Sequence, residues 1–130
     1  MKKLSGLLFC LLLAGALSAF PAMRGGTSDW SGTWLGKTVV GGNEDALTLV
    51  LKKDGKMYAG TIQDAAGIIT AGTEITSVQV LPKNGLKFSF QTVEGVAIET
   101  TVTVDGESMK GEWIDSAHGE QGPVEMARKK

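Results

Sequence analysis

A chain of 130 residues with 13 Lys and Arg against 14 Asp and Glu has room for one ordinary domain rather than two. It is too evenly charged to carry the basic stripe that nucleic-acid binding needs. One cysteine and one histidine exclude a disulfide framework and leave little material for a metal site or a nucleophile-histidine pair.

The first segment has the three parts of an export signal. Lys2 and Lys3 form a charged start, Leu7 to Leu13 an apolar centre, and Ala14, Ala16, Ser18 and Ala19 a small-residue exit. Residues 1–19 are therefore expected to be a signal peptide, with cleavage in the window 16–22 and a periplasmic or secreted destination. The apolar run is shorter than the roughly 20 residues of a transmembrane helix, and no second run follows, so no membrane span is expected after cleavage. Cys10 lies inside the apolar centre behind Phe9, not at its end behind a small residue, so the pattern of a lipid anchor does not fit. Cleavage removes that cysteine and takes Lys and Arg from 13 to 11 against 14 Asp and Glu. Stability must then come from burial alone.

Residues 20–30 are small, polar and Gly-rich between Ala22 and Asp29, and read as a flexible leader. From Ser31 the pattern has period two. Leu47, Leu49 and Leu51 alternate with polar or outward residues, as do Leu86, Phe88 and Phe90, and as do Val96, Ile98, Thr100, Val102 and Val104. Such alternation marks strands with one buried and one wet face. Asp54-Gly55, Asn84-Gly85 and Asp105-Gly106 supply two-residue hairpin turns at one end. Looser connections at Gly41 to Glu44, Asp64 to Gly72, Val93 to Gly95 and Ser116 to Gly122 fall at the other. Eight strands are predicted: 31–40, 45–53, 56–63, 73–81, 85–92, 96–104, 108–115 and 123–128. Pro82 and Pro123 are expected at a strand end and a strand start, where proline forfeits no central ladder bond.

An antiparallel meander with one apolar face removes its exposed edges by closing on itself. The prediction is an all-β, eight-stranded, antiparallel up-and-down barrel spanning 31–128. Its inward set would be Trp34, Leu47, Leu49, Leu51, Tyr58, Ile62, Val78, Val80, Leu86, Phe88, Phe90, Val96, Ile98, Val102, Val104, Met109, Trp113, Val124 and Met126. Gly32, Gly60 and Gly111 share inward parity, where a missing side chain permits strong coiling. The motifs Gly32-Thr33-Trp34 and Gly111-Glu112-Trp113 are expected on paired first and seventh strands.

The order Gly-Thr-Trp, Leu-x-Leu-x-Leu, Asp-Gly, Gly-Thr-Ile, Val78-x-Val80, Leu86-x-Phe88-x-Phe90 and Gly-Glu-Trp resembles the small lipocalin-like, calycin-type barrels of secreted bacterial proteins, a lipocalin- or avidin-like architecture. The resemblance covers Ser31 to Arg128 and rests on structural motifs. It implies the barrel, and a non-enzymatic binding role, more than any chemistry.

Candidate chemistry is thin. Gly32 to Thr38 resembles a phosphate-binding loop but has three residues between its glycines instead of four, and a strand follows it. Asp115, His118 and Glu120 could in principle ligate a metal or move a proton, yet a solvated loop is the plainer reading, and no metal or cofactor is expected. Gly-x-Ser-x-Gly is absent, and Glu94, Glu99, Glu107, Glu112 and Glu125 read as solubilising outer positions. The aromatic set Trp34, Tyr58, Phe88, Phe90 and Trp113 carries the functional question, because such residues line a pocket in a large barrel and fill the lumen of a short one. Strands of roughly 8 residues, about 26 Å at 3.3 Å each, argue for filling, with a small apolar pocket at the looser rim as the alternative. Inward polar groups would be Thr38, Thr76, Thr100 and the Tyr58 hydroxyl. The expected function is binding of a small apolar or amphipathic ligand at the barrel mouth. The alternative is a protein-binding accessory or inhibitor module of the bacterial envelope that uses its leader.

Overall fold

The structure is a computed structural model that describes residues 29–130; the expected signal peptide, 1–19, and all but the end of the expected leader, 20–30, lie outside them. Nine strands form: β1 Gly32–Val40, β2 Asn43–Asp54, β3 Met57–Asp64, β4 Thr73–Glu74, β5 Thr76–Leu81, β6 Gly85–Gln91, β7 Ala97–Asp105, β8 Ser108–Asp115 and β9 Glu120–Arg128. Every pairing is antiparallel, in the order β4-β3-β2-β1-β9-β8-β7-β6-β5. No helix long and apolar enough to cross a membrane occurs among the described residues.

The count is nine, not the predicted eight, because the expected strand 73–81 breaks at Ile75. β4 pairs with β3, through Thr61 to Glu74 and Ile62 to Thr73. β5 pairs with β6. The two outer strands of the sheet are thus one interrupted segment, and the barrel is nearly closed. At the break the Ile75 amide donates to the Gly60 carbonyl at 3.0 Å, Ser77 takes a φ of 52°, and the β5–β6 register shifts between Thr76 and Gln79. A bulge of this kind re-aims the side chains that follow. Ile75 is buried, Thr76 is exposed, and Val80 is 46% exposed, so the inward assignments of Thr76 and Val80 are corrected, and Val78 is only half-buried.

Two further boundaries differ. β9 starts at Glu120, paired with Asp115, so Pro123 lies inside the strand opposite Glu112 instead of opening it. There its carbonyl accepts the Thr38 hydroxyl at 2.6 Å, and its ring brings no N–H to the ladder. The two Gly-x-Trp strands are also not direct partners: β9 lies between them, with Met126 opposite Gly36 and Val124 opposite Gly111. Gly111 still does what parity implied. A Cβ there would lie 2.6 Å from the Val102 Cα and would strike the Thr101 carbonyl, so the close crossing of β7 and β8 tolerates no side chain.

Inside, the end that carries the tight turns is solid. Trp34, Leu49, Leu86 and Met109 are fully buried, and Leu51 and Val102 nearly so; each contributes about 1.5–3 kcal/mol on leaving water. Trp30, grouped with the leader by its neighbours in sequence, belongs to this core at 7% exposure. Its ring stacks on Tyr58 with centroids 5.7 Å apart, its amide donates to the Tyr58 hydroxyl at 3.0 Å, and its carbonyl accepts the Trp34 indole N–H at 2.9 Å. Arg128 closes this end: its guanidinium sits 4.5 Å over the Trp34 ring and donates to the carbonyls of Ser31 and Asp29 and to Glu107.

Candidate functional site

The other end of the barrel, among the looser loops, holds a cavity of about 320 Å³, at the small end of the range for ligand pockets, about 300–1,000 Å³. Its wall is formed from inward positions of β1, β2, β3, β6, β7, β8 and β9. The lumen is therefore neither filled throughout nor hollow throughout. Trp34, Leu49 and Leu51 occupy one half, and the second half is open.

Of the five aromatic candidates, the structure brings three together here. Phe88 and Phe90 are successive inward residues of β6 with ring centroids 6.3 Å apart, and Trp113 faces the same space from β8. Trp34 and Tyr58 do not line it; they sit in the plug at the opposite end, where the Tyr58 hydroxyl is already taken by Trp30. The reason is depth along the strand, which parity does not encode.

Trp113 is held in a specific pose. It lies opposite Gly122 in the β8–β9 register, and its indole crosses that glycine to donate from Nε1 to Thr38 Oγ1 on β1 at 2.8 Å. Thr38 in turn donates to Pro123. A Cβ on Gly122 would stand 2.6 Å from Trp113 Nε1 and 2.6 Å from the Val39 carbonyl. Glycine at this position is what leaves room for the indole edge to pass.

The mouth is acidic. Asp64 closes β3 and accepts backbone N–H groups from Gly67, Ile68 and Ile69 at 3.1, 3.2 and 2.9 Å, which folds the loop 65–72 back so that Ile68 and Ile69 cover the cavity. Asp45, on β2, accepts from Ala66 at 2.9 Å. Burial, and then the Asp64 carboxyl beside it, push the Asp45 carboxyl above the usual carboxylate range. Asp115 is buried and accepts the Ala117 and His118 amides and the His118 ring nitrogen Nδ1 at 2.8 Å. That contact raises the His118 pKa above its ordinary value. Glu94 and Glu120 complete the lining.

Asp45, Asp64 and the two isoleucines do not stand out in the sequence. Parity could have found the carboxylates, since Asp45 is in phase with Leu47 and Leu49, and Asp64 with Tyr58 and Ile62. Asp115, His118 and Glu120, read as a solvated loop, reach the mouth, as does Glu94, read as an outer position. Among the described residues no group of three or more His, Cys, Asp or Glu is placed to hold a metal ion. The segment Gly32 to Thr38 is plain strand, β1.

Fold and site together define a small, nearly closed antiparallel β-barrel with one plugged end and one open, apolar, acid-rimmed end. No protein-family model matches the chain, and no curated protein matches it in sequence. Among solved structures it is similar to a de novo designed fluorescence-activating β-barrel, with a TM-score of 0.51 and 19% sequence identity over 77% of this chain and 94% of that one. At that identity the likeness concerns the fold.

Proposed function

We propose that this chain is an exported, non-enzymatic barrel of the lipocalin-like type that takes a small apolar or amphipathic molecule into the cavity at its open end. The observation that carries the reading is the cavity of about 320 Å³ bounded by Phe88, Phe90 and Trp113 in a barrel whose other half is solid. A protein that needed only a stable core would bury apolar side chains throughout, since unfilled apolar space costs stability. The designed fluorescence-activating barrel that resembles it in fold is compatible with a guest in such a lumen. A non-enzymatic role fits the single histidine, whose ring bond goes to Asp115 and to no nucleophile among the described residues. Titration with a panel of lipids and hydrophobic dyes, read by tryptophan fluorescence, tests the proposal. The expected signal comes from Trp113 and is lost in Trp113→Phe, and a flat response across the panel refutes it.

An envelope protein partner reached through the leader is the second reading, and Trp30 favours a specific geometry for it. Trp30, the last residue of the expected leader, sits in the plugged end, so a partner bound beside it would leave the cavity free. Pull-down from periplasmic extract with and without residues 20–29 separates the two: only this reading expects a stable partner lost on truncation.

A further inference from the structure

An apolar guest would leave two polar features of the cavity unused. The first is at its floor. Thr100 lies on β7 opposite Phe88 and Trp113, lines the cavity and is 2% exposed. The other threonines of the wall are engaged, Thr38 with Pro123 and Trp113 and Thr92 with the Val96 amide. The Thr100 hydroxyl has no hydrogen-bond partner among the described residues, although buried polar groups ordinarily have one.

The second is the mouth. Asp45, Asp64, Glu94, Asp115 and Glu120 line it, and no lysine or arginine among the described residues does. Asp64 and Asp115 spend their oxygens on backbone N–H groups, whereas Glu94 and Glu120 are exposed and form no ion pair among the described residues. In a chain with 13 basic and 14 acidic residues this rim is strongly one-sided. Among the described residues His118 is its only basic side chain, and it is bonded to Asp115. A single sign of charge at the entrance of a low-dielectric cleft concentrates solutes of the opposite sign.

We infer that the ligand is an amphipathic organic cation: an ammonium-type head at the acidic rim, an apolar or aromatic body among Phe88, Phe90 and Trp113, and one hydrogen-bonding group at the inner end that meets Thr100. This rests on the cavity being a ligand site, as proposed above. An anionic amphiphile such as a fatty acid would place its carboxylate among carboxylates. Thr100 lies three residues in from the start of β7, so the head and the inner polar group should be about 10 Å apart at 3.3 Å per residue.

Four matched probes test this on the full mature protein by isothermal titration calorimetry, with the Trp113 indole N–H followed by NMR: 4-(4-aminobutyl)phenol, 4-phenylbutylamine, 4-butylphenol and 4-(4-hydroxyphenyl)butanoate. The aminobutylphenol is expected to bind about tenfold more tightly than either compound lacking one polar end, about 1.4 kcal/mol each, and the butanoate most weakly. Glu94→Gln with Glu120→Gln should bring the aminobutylphenol toward butylphenol, and Thr100→Val should bring it to the level of phenylbutylamine without weakening phenylbutylamine itself. Equal binding of amine, phenol and butanoate overturns the cation while leaving the ligand site standing. Binding of none of the four overturns both.

Discussion

Replacing Gly122 by alanine asks directly whether the Trp113 pose is built into the barrel. The new Cβ would stand 2.6 Å from Trp113 Nε1, 2.9 Å from its Cε2 and 2.6 Å from the Val39 carbonyl, and the carbonyl is backbone that cannot swing aside. The indole must therefore move, and its bond to Thr38 at 2.8 Å goes with it. Overpacking of this kind costs about 1–3 kcal/mol, and a lost hydrogen bond about 0.5–1.5 kcal/mol, for a combined loss of about 1.5–4.5 kcal/mol. For a domain near 100 residues, where 1 kcal/mol shifts Tm by about 4–8 °C, thermal unfolding should begin well below that of the parent protein. The double-mutant cycle with Trp113→Leu isolates the cause. If the clash is with the indole, Gly122→Ala should cost at least about 1 kcal/mol less in the leucine background, as expected for residues in contact. Additive effects within about 0.5 kcal/mol, or a Tm unchanged by Gly122→Ala, would refute the reasoning.

Three other outcomes follow from the same structure. Trp30→Ala should destabilise by about 3–5 kcal/mol, the range for losing a buried aromatic side chain, in chemical denaturation, and a chain begun at Ser31 should melt equally low; parent-like stability in both would remove Trp30 from the core. Because the folded pKa of Asp45 is raised above 3.8, ionising it costs stability at neutral pH, and that cost shrinks as pH falls through the raised value and is gone below 3.8; Asp45→Asn should therefore melt above the parent at pH 7, with the gap closing as pH falls, whereas a constant gap would contradict it. His118, whose pKa is raised above 6.5 by Asp115, contributes stability that is full below 6.5 and lost as pH rises through the folded value. Its NMR titration midpoint should lie above 6.5 and drop in Asp115→Asn; identical midpoints would show that the ion pair does not form in solution.

Much of the barrel is legible in the sequence because period-two burial is a local property. Leu47, Leu49 and Leu51 face inward for the same reason that Thr101 and Thr103 face out: the pleat alternates, and each strand needs only its own residues to say so. Tight turns are equally local, and they mark one end of the barrel, although the turn expected at Asn84-Gly85 is a three-residue loop, 82–84, with Gly85 already paired to Leu81 in β6 and positive φ at Lys83 and Asn84. What alternation cannot carry is distance along the barrel axis, so it groups Trp34 and Tyr58 with Phe88, Phe90 and Trp113 although they lie in the plug.

By itself, then, the sequence determined an all-β, up-and-down meander, its inward faces outside β5 and the end at which an opening would lie. Tertiary contacts decided the rest. The strand expected at 73–81 breaks at Ile75 because one segment must pair with β3 and then with β6 to bring the sheet round on itself. Trp30 enters the core because Tyr58, distant in sequence, offers its ring and its hydroxyl, and Trp34 on β1 adds its indole N–H. Whether the lumen is packed or open depends on how side chains from seven strands meet across it, a three-dimensional sum that leaves no periodic trace, and that sum produces a plug at one end and an acid-rimmed cavity at the other.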